Sequence, residues 1–475
     1  MSVATEIAKD ILDNCELWHT DEGKSYISMK CPPDDHVEHL PLKSKDTKNR
    51  LANIYYQKTK TAASEGALTN AIAVLDGEAQ QGLMHEVRIR IGGVDGAIFL
   101  DLGDPSWNAV EITDKGWKVI PHPPVKFRRT KGMLPLPKPV RGDSLDEDLR
   151  PLLTVDSDET WLLIKGWLLG LLLPNGPHPI MAFRGEQDTA KSYTQKLLRD
   201  IVDPTKLKNR RPAKKVEDLM IAASNNWVVS FDNMSKIGDD LSDDLCCVAT
   251  GGGIAKRTQH TDEDETILEV CRPIIMNGIE NIITRPDLLD RSIYITLHTI
   301  PPESRVPEVK LLEKFNKKMP KILGALLDLA VIALQKQDEI VLNEPYRMAG
   351  FVKFATAGLG DEGDAFQTAY KVNKKYTSEE SIADNYLVVR LREFIPQWCR
   401  NRTMYGEEPC WQGIASKLLD DLKYGLDDTH AALLPRAPNA LSSSLTRLTP
   451  PLRTIGIKVE KISARMWKIS ETRNE

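Results

Sequence analysis

A glycine, a lysine and a serine with the spacing of a phosphate-binding loop follow a short apolar run. Residues 181–196 read MAFRGEQDTAKSYTQK, which predicts a strand, a loop and then a helix. In such a loop, backbone N–H groups point at phosphate oxygens, the lysine reaches the β and γ phosphates, and the serine hydroxyl is a ligand for Mg²⁺. The sequence therefore predicts a site for ATP and Mg²⁺ formed by Gly185, Glu186, Gln187, Asp188, Thr189, Ala190, Lys191 and Ser192.

Two positions depart from the usual loop. Ala190 stands where glycine is common, and Asp188 stands where many such loops have a second glycine. Aspartate tolerates a positive φ better than most residues, so the backbone can still turn. Its charge beside a triphosphate can nevertheless weaken nucleotide binding.

An acid follows the next apolar strand that the pattern predicts. Asp232 comes directly after the run WVVSF at 227–231. An acid at the end of a neighbouring strand holds Mg²⁺, usually through water, so Ser192 and Asp232 are the predicted metal ligands. Asn233 stands where a second acid is usual. Asparagine orients water but cannot accept its proton, so the general base stays open, with Glu186 as one candidate.

Three further polar residues come with the next strands. Asn277 follows the run PIIM at 273–276, where it can contact the γ phosphate or the attacking water. Arg285 and Arg291 lie in ITRPDLLDRSIYITL. An arginine on a loop that leaves a sheet can reach across a subunit interface and stabilise a transferring phosphoryl group. An ordinary surface arginine is the alternative for both. The predicted catalytic residues are Lys191, Asp232, Asn233, Asn277, Arg285 and Arg291.

Strands and helices that alternate between about 150 and 300 must position these residues. Uniformly apolar strands alternating with helices predict a mostly parallel sheet covered on both faces. The run WLLIKGWLLGLLLP at 161–174 contains a lysine and is too short for a bilayer, so it predicts a buried helix. Residues 305–375 are helical in character, and the charged segment 362–380 is predicted to be a hinge.

The first 140 residues predict an α+β unit that ends in a proline-rich segment. Residues 46–79 are helical in character, and strands are predicted at 85–91, 97–102, 109–113 and 117–120. We call residues 118–141 the strap; it has seven basic residues and no acidic one. A solvated linker is the first interpretation of the strap, and a segment that touches phosphates or the next subunit is the alternative.

The last unit, from residue 382, has the order helix, helix, helix, hairpin, which predicts a winged helix. Helices are predicted at 386–399, at 411–424 and from about 439, and strands at 457–462 and 466–469. Basic residues outnumber acidic ones beyond residue 431, although the whole chain of 475 residues has a formal net charge of −5. A helix of this kind can enter a major groove while the wing touches phosphates. A winged helix used for protein contact is the alternative.

The order of these motifs resembles the AAA+ ATPases that phages, plasmids and genomic islands encode as replication proteins. These are similar to superfamily-three helicases and to the helicase part of poxvirus-type primase-helicases. The resemblance runs from about residue 85 to 360. Besides the motifs above, it is carried by residues 101–104, 115–117, 124–128, 244–246, 250–253, 255–257, 261–265, 272–279 and 347–349.

The resemblance implies a hexameric ring in which Asn277 is a sensor and Arg291, rather than Arg285, is the arginine finger. It also implies that residues 251–260, GGGIAKRTQH, form a hairpin in the central pore. Glycines permit a tight turn, and a basic tip meets the DNA backbone. A surface hairpin paired with the acids at 262–265 is the alternative. The predicted DNA contacts are Lys256, Arg257 and His260 in the pore and Arg447, Lys461 and Arg465 in the winged helix.

Taken together, the sequence predicts an α/β protein with a P-loop AAA+ ATPase core (143–300) between an α+β N-terminal domain (1–142) and a helical lid (301–375), followed by a winged helix (382–475). The predicted function is an ATP-dependent DNA helicase for replication of a mobile element. An origin-binding or loader switch and an ATPase of an anti-phage defence system are the alternatives.

The expected partners are DNA, further copies of the chain and a separate primase, because the first 140 residues are short for a polymerase fold. No membrane partner is expected. Seven scattered cysteines without a CxxC pair, and an N-terminus without an apolar signal region, predict a cytoplasmic protein without a structural zinc site.

Overall fold

The structure, a computed structural model, describes residues 2–472 with short gaps at 33–34, 143, 208–209, 214, 236, 258–264, 280–281, 384, 407 and 464. Within these residues the chain forms five sheets and a set of helices that covers them. The fold is therefore of the mixed α/β kind. No helix among the described residues is both long enough and apolar enough to cross a membrane.

The N-terminal region contains two separate sheets rather than one. The first has the strand order β3-β2-β1-β4 and is covered by three helices whose apolar faces form their own small core. Its strands β1 to β3 are antiparallel neighbours, and the short β4 runs parallel to β1. Its elements are α1 (Val3–Asn14), β1 (Glu16–His19), β2 (Ser25–Cys31), β3 (His36–Pro41), α2 (Lys45–Thr59), α3 (Glu65–Gln81) and β4 (Leu83–Met84).

The second sheet is an antiparallel meander next to the strap. Its strands are β5 (Ile91–Val94), β6 (Ala97–Asp101), β7 (Ala109–Thr113) and β8 (Gly116–Ile120). The prediction of a strand over 85–91 was wrong, since only isolated bridges occur before Ile91. Arg90 explains the error. It adopts a left-handed φ of 62°, which interrupts the strand, and its side chain is fully buried although the alternating pattern placed it at a solvent-facing position.

The buried Arg90 joins the second sheet to the following domain. Its Nε lies 3.2 Å from Oδ1 of Asp203, and its other nitrogens donate to the carbonyls of Asp101 and Leu134. The second carboxylate oxygen of Asp203 accepts the backbone N–H groups of Trp227 and Val228 at 2.8 and 3.0 Å. This one ion pair therefore connects the meander, the strap and the strand that leads to Asp232.

Replacing Arg90 with methionine is expected to lower the free energy of unfolding by about 3–5 kcal/mol, because the Asp203 carboxylate would stay buried without its cation. Urea unfolding followed by tryptophan fluorescence measures the change. Lys118→Ala is the control, since Lys118 pairs with Glu111 at the surface, where such pairs contribute at most about 1 kcal/mol. Equal effects of the two substitutions would contradict this role for Arg90.

A four-stranded sheet forms the centre of the next region, and all its strands are parallel, as the strand–helix alternation predicts. Its order is β10-β13-β9-β14, so consecutive strands are not neighbours. Separate apolar clusters cover its two faces. The elements are α4 (Leu145–Asp148), α5 (Asp158–Gly170), β9 (Ile180–Arg184), α6 (Lys191–Asp200), α7 (Val216–Asn225), β10 (Val229–Met234), α8 (Asp239–Thr250), β13 (Ile274–Gly278), α9 (Pro286–Leu289) and β14 (Ser292–Thr296).

A two-stranded hairpin interrupts this region between α8 and β13. Strands β11 (Gly253–Arg257) and β12 (Glu265–Glu269) are antiparallel, with Gly253 opposite Glu269 and Arg257 opposite Glu265. A hairpin between the acid strand and the Asn277 strand was predicted from the sequence. Its tip lies outside the described residues.

Three helices follow the sheet: α10 (Glu308–Lys336), α11 (Ala349–Leu359) and α12 (Gly363–Ala383). The prediction of a hinge over 362–380 was wrong, because these residues begin with a short 3-10 turn and continue as α12. Phe366 and Tyr370 of α12 are buried against the same core as α5 and α11. One buried face is enough to hold a helix whose other positions are charged.

The C-terminal unit has a three-stranded antiparallel sheet in the order β15-β17-β16. Its elements are α13 (Tyr386–Met404), β15 (Cys410–Ile414), α14 (Ala415–Lys423), α15 (Asp428–Ala431), α16 (Pro438–Thr454), β16 (Ile457–Lys461) and β17 (Met466–Glu471). The prediction that a helix begins at Trp411 was wrong. Trp411 lies in β15 opposite Ile469, and its buried indole donates to Asp421 of α14.

Candidate nucleotide site

The loop between β9 and α6 has the backbone shape that a phosphate loop needs. Gly185 has a φ of 156°, and a Cβ on it would lie 2.4 Å from the carbonyl oxygen of Leu297, so only glycine fits. Asp188 and Ala190 adopt left-handed φ values of 64° and 57°. Ala190 is the residue directly before α6, so the two departures from the usual sequence lie at the two turns of the loop.

The side chain of Lys191 lies over this loop. Its ammonium group donates to the carbonyl of Gly185 at 2.8 Å, to the hydroxyl of Thr189 at 3.1 Å and to the carbonyl of Glu186. Burial lowers the pKa of Lys191, and the nearby charge of Asp232 opposes that shift. The lysine is therefore a cation held by oxygen acceptors at the mouth of the loop.

Ser192, Asp232 and Asn277 meet at the carboxyl edge of the sheet. The hydroxyl of Ser192 donates to Oδ1 of Asp232 at 2.7 Å, and the amide of Asn277 donates to the same oxygen at 2.6 Å. Because β13 lies between β9 and β10, Asn277 is placed between the loop and the acid. We call these three residues with Lys191 the polar cluster.

The side chain of Gln195 contacts the polar cluster and the end of β10. This residue was not predicted from the sequence. It is buried on α6, and its Oε1 accepts from the amide of Asn277 at 2.7 Å. Its Nε2 donates to Ser230 Oγ and to the carbonyl of Phe231, the last residues of β10 before Asp232. A polar residue three positions after Ser192 on the sheet-facing side of a helix was the available signal.

Replacing Asn277 with alanine is expected to lower ATP hydrolysis about 10- to 100-fold, because a hydrogen bond to a charged group contributes about 1.5–3 kcal/mol and Asp232 would lose it. The rate at saturating ATP measures this effect. Asn226→Ala is the matched control, since its amide only donates to the carbonyl of Ala222. Unchanged hydrolysis in Asn277→Ala would contradict the assigned role.

Asn233 and the acids of the loop occupy the outer side of the site. Asn233 adopts a φ of 56°, and its backbone N–H donates to Oδ1 of Asn277 at 3.1 Å. The side chains of Asn233, Glu186, Gln187 and Asp188 are exposed. Asp188 pairs with Arg305 at 3.2 Å. The arginine compensates part of the negative charge of Asp188, which was predicted to weaken nucleotide binding.

The two candidate finger arginines differ in their surroundings. Arg285 donates to the Asp239 carbonyl at 2.8 Å and pairs with Asp243 at 2.9 Å, both on α8. Arg291 lies at the amino end of β14, where its carbonyl accepts from the N–H of Ile180 at 2.8 Å. Strand β9 has five residues, so the backbone of Arg291 is about 16 Å from Gly185. Arg291 is therefore at the opposite end of the sheet from its own phosphate loop.

Lys374 of α12 holds the backbone around Arg291. Its ammonium donates to the carbonyls of Asp290 and Ser292, both at 2.7 Å, and of Leu289 at 3.3 Å. Burial lowers the pKa of Lys374 to about 7. This contact was not predicted from the sequence, because the segment that contains Lys374 was interpreted as a hinge. The guanidinium of Arg291 itself donates to the carbonyl of Asp287 at 2.7 Å.

The predicted DNA contacts lie away from the polar cluster. Lys256 and Arg257 are at the end of β11, but their side chains and the whole of His260 lie outside the described residues. Arg447 is exposed on α16, and Lys461 and Arg465 are exposed at the β16–β17 turn. Lys461 also lies 5.6 Å from the ring centre of Trp467. Their contact with DNA stays a prediction.

Most cations of the strap have acidic partners within the chain, so these side chains are paired and not simply solvated; contact with phosphates or the next subunit stays a prediction. The pairs join it to the meander, to the N-terminal sheet region and to α10. They are Lys118–Glu111, Lys126–Glu16, Arg129–Asp101, Lys131–Asp46 and Arg141–Asp328. Arg128 differs, because its guanidinium donates to the carbonyl of Ser224.

Two family models match the sequence. The replication protein of actinomycete integrative conjugative elements matches residues 146–374, and the C-terminal domain of that RepA protein matches residues 394–475. The two matches together span about two-thirds of the chain. The chain therefore belongs to the RepA family of replication proteins of actinomycete integrative conjugative elements. No curated protein matches the sequence.

Solved structures with some similarity include the apo C-terminal region of NrS-1, at 13% identity and a TM-score of 0.42, with 98% of each chain covered. Another apo structure of that region has 12% identity and a TM-score of 0.42, and the match covers 99% of this chain and 100% of that one. A JCV helicase bound to a small molecule has 13% identity and a TM-score of 0.24, with 48% of this chain and 65% of that chain covered.

Proposed function

We propose that this replication protein is an ATP-driven DNA helicase of the AAA+ class that works as a ring, with six subunits as the expected number. The observation that carries the proposal is the polar cluster, in which Lys191, Ser192, Asp232 and Asn277 meet at one edge of a parallel sheet. Ligands of α/β proteins bind at that edge, outside the carboxyl ends of the strands. Family membership supports a role in replicating a mobile element.

The residues at the polar cluster fit a magnesium nucleotide. Ser192 and Asp232 offer two hard oxygens 2.7 Å apart, the ligand type that Mg²⁺ prefers. The backbone at Gly185 lies so close to the carbonyl oxygen of Leu297 that no side chain fits there. The N–H groups of the loop can therefore face phosphate oxygens without a side chain at this position. When bound there, Mg²⁺ would neutralise charge that develops during phosphoryl transfer.

In this proposal each residue of the polar cluster has one role. Lys191 exchanges its loop acceptors for phosphate oxygens, and Ser192 and Asp232 hold the metal. Asn277 keeps Asp232 oriented through its amide and can contact the attacking water. Burial lowers the pKa of Lys191, and the nearby charge of Asp232 favours the ammonium form that would bind phosphate.

A neighbouring subunit must complete the site, because Arg291 lies too far from its own loop. Across a subunit interface, Arg291 is placed to stabilise charge on the phosphoryl group of the next copy. Lys374 connects this arginine to α12, so the helical lid and the finger move together. Arg285 is held by two acids of α8 and is therefore the weaker candidate for the finger.

DNA contacts complete the proposal. The β11–β12 hairpin, with Lys256, Arg257 and His260, is proposed to contact one strand in the pore. The C-terminal unit has the element order helix, strand, three helices and two strands, and we propose that it is a winged helix. Arg447 on α16 and Lys461 and Arg465 on the wing would contact duplex DNA. The action on DNA and the partnership with a separate primase are both parts of this proposal.

The test measures ATP hydrolysis with and without single-stranded DNA, together with displacement of a labelled strand from a forked duplex. The helicase proposal predicts DNA-stimulated hydrolysis and ATP-dependent displacement. The proton of the attacking water passes either to Glu186 or to other water molecules. Hydrolysis by a Glu186→Gln variant distinguishes these two possibilities.

A loader or origin-binding switch is the second candidate, and Asn233 is the observation that favours it. Asn233 follows Asp232 directly, where a second acid would accept the proton of the attacking water. Slow hydrolysis suits a switch that assembles a ring on DNA. ATP-dependent DNA binding without strand displacement would support this candidate over the helicase.

A further inference from the structure

Two adjoining cavities lie between the N-terminal sheet, the strap and the sheet that bears the polar cluster. They have volumes of about 630 and 1060 Å³. Pro41, Arg128 and Asn225 line both, so the cavities form one continuous space, which we call the interdomain cleft. A space of this size accommodates a nucleotide or a short stretch of a nucleic-acid strand.

Three arginines converge on the larger cavity: Arg88, Arg128 and Arg272. The backbone N–H of Arg128 donates to the carbonyl of Arg88 at 2.9 Å, so the strap holds these two residues side by side. Burial lowers the pKa of Arg272 to about 10, and the charges of Arg88 and Arg128 contribute to that shift. The charges of Arg88 and Arg128 therefore oppose the charged form of Arg272.

Backbone carbonyls hold two of the three arginines, Arg128 and Arg272. Arg272 donates to the carbonyls of Ala223 and Cys271, and Arg128 donates to the carbonyl of Ser224. Within the part of the chain that the structure describes, neither has a carboxylate within ion-pair distance. Four acids also line the larger cavity: Glu22 pairs with Lys24, Glu86 pairs with Arg88, and Asp21 and Glu269 are the other two. Cations that line one cavity create a positive potential there, and this potential favours the binding of an anion.

The smaller cavity offers a planar platform beside these cations. The guanidinium of Arg129 lies 4.0 Å from the ring centre of Trp107, and His39 meets the same ring edge-on. Trp107 holds this position with a φ of 54°, an unusual conformation for a bulky residue. Its neighbours in the cavity include Thr130, Lys131 and Arg210. Arginine planes and aromatic rings are the surfaces on which unpaired bases stack.

We propose that the interdomain cleft binds a nucleotide unit, with the phosphate at Arg88, Arg128 and Arg272 and the base against the Trp107–Arg129 platform. The unit can belong to a single DNA strand or be a free nucleotide, and the two share this chemistry. A strand in the cleft would pass beside β10 and outside the pore. The proposal goes beyond the helicase proposal and does not depend on ATP.

The test uses the full chain with Lys256→Ala and Arg257→Ala, which removes the proposed pore contact, and adds Arg128→Gln. In the absence of ATP, anisotropy of a labelled single-stranded oligonucleotide should show about fivefold weaker binding at 0.1 M salt, and the slope of log affinity against log salt should fall by about 0.7. Arg141→Gln is the matched control, because Arg141 is a strap arginine that pairs with Asp328.

A second arm titrates thymidine 5′-monophosphate and inorganic phosphate, measured by calorimetry. Loss of oligonucleotide binding with Arg128→Gln supports a strand in the cleft, and loss of mononucleotide binding alone supports a free nucleotide. If Arg128→Gln lowers the melting temperature, Arg88→Gln repeats both arms. Equal binding by Arg128→Gln, Arg88→Gln and Arg141→Gln would overturn the proposal. The helicase proposal is judged separately, by ATP hydrolysis and strand displacement with the unsubstituted protein.

Discussion

Replacing Lys191 with alanine is expected to abolish ATP hydrolysis, with a rate at least about a thousandfold lower. The ammonium group is the cation nearest the loop that would hold the phosphates, and charge stabilisation of this kind supplies much of phosphoryl-transfer catalysis. The loss appears both with and without DNA in a phosphate-release assay. Magnesium-nucleotide affinity, measured with a fluorescent ATP analogue, should fall as well.

Lys196→Ala is the control for this substitution. Lys196 is on the same helix, but it pairs with Asp200 at 2.7 Å, one turn further along. Its removal should leave hydrolysis within about twofold, since its partner Asp200 does not belong to the polar cluster. Hydrolysis that survives in Lys191→Ala would mean that the loop between β9 and α6 is not the nucleotide site.

Replacing Arg291 with alanine is expected to lower hydrolysis about 10³- to 10⁵-fold while nucleotide binding is retained, as for other arginine fingers. The reason is geometric: Arg291 lies at the far end of β14 from its own loop, so the proposal assigns its action to a neighbouring copy. Steady-state hydrolysis at a protein concentration that gives full assembly measures the effect. Arg285→Ala, by contrast, should change hydrolysis by less than about tenfold.

Mixing two inactive variants tests the contribution across the interface. Subunits with Lys191→Ala still carry Arg291, and subunits with Arg291→Ala still carry an intact loop. Mixed assemblies should therefore recover part of the activity that neither variant has alone. No recovery, with mixed assembly verified by mass photometry, would place the effect of Arg291 within its own subunit.

The sequence predicted the parts of this molecule that depend on local patterns. The strand before Gly185, the helix at Lys191 and the strand ends at Asp232 and Asn277 were predicted because apolar runs and polar breaks mark them directly. The convergence of Ser192, Asp232 and Asn277 followed from the rule that parallel strands end at one edge. Their roles in hydrolysis stay predictions.

The features that the sequence did not predict all depend on long-range contacts. Arg90 looked like a solvent-facing strand residue because nothing local indicates Asp203 as its partner. The segment with Lys374 looked like a hinge because its charges are many, yet two aromatic side chains bury one face. Trp411 was predicted to begin a helix because its strand partner, Ile469, is distant in the sequence. Local composition carries no information about such partners.

The ion pair between Arg90 and Asp203 also determines where the molecule can be divided. A fragment that begins at residue 143 would include every residue of the polar cluster, yet it would leave Asp203 buried without its cation and would remove the sheet whose apolar residues share one core with Trp161 and Leu163. A fragment that begins just after β4, before residue 88, retains both. The smallest independently folding unit is therefore larger than the predicted catalytic motifs suggest. The meander is part of the domain that bears the polar cluster and is not a separate module.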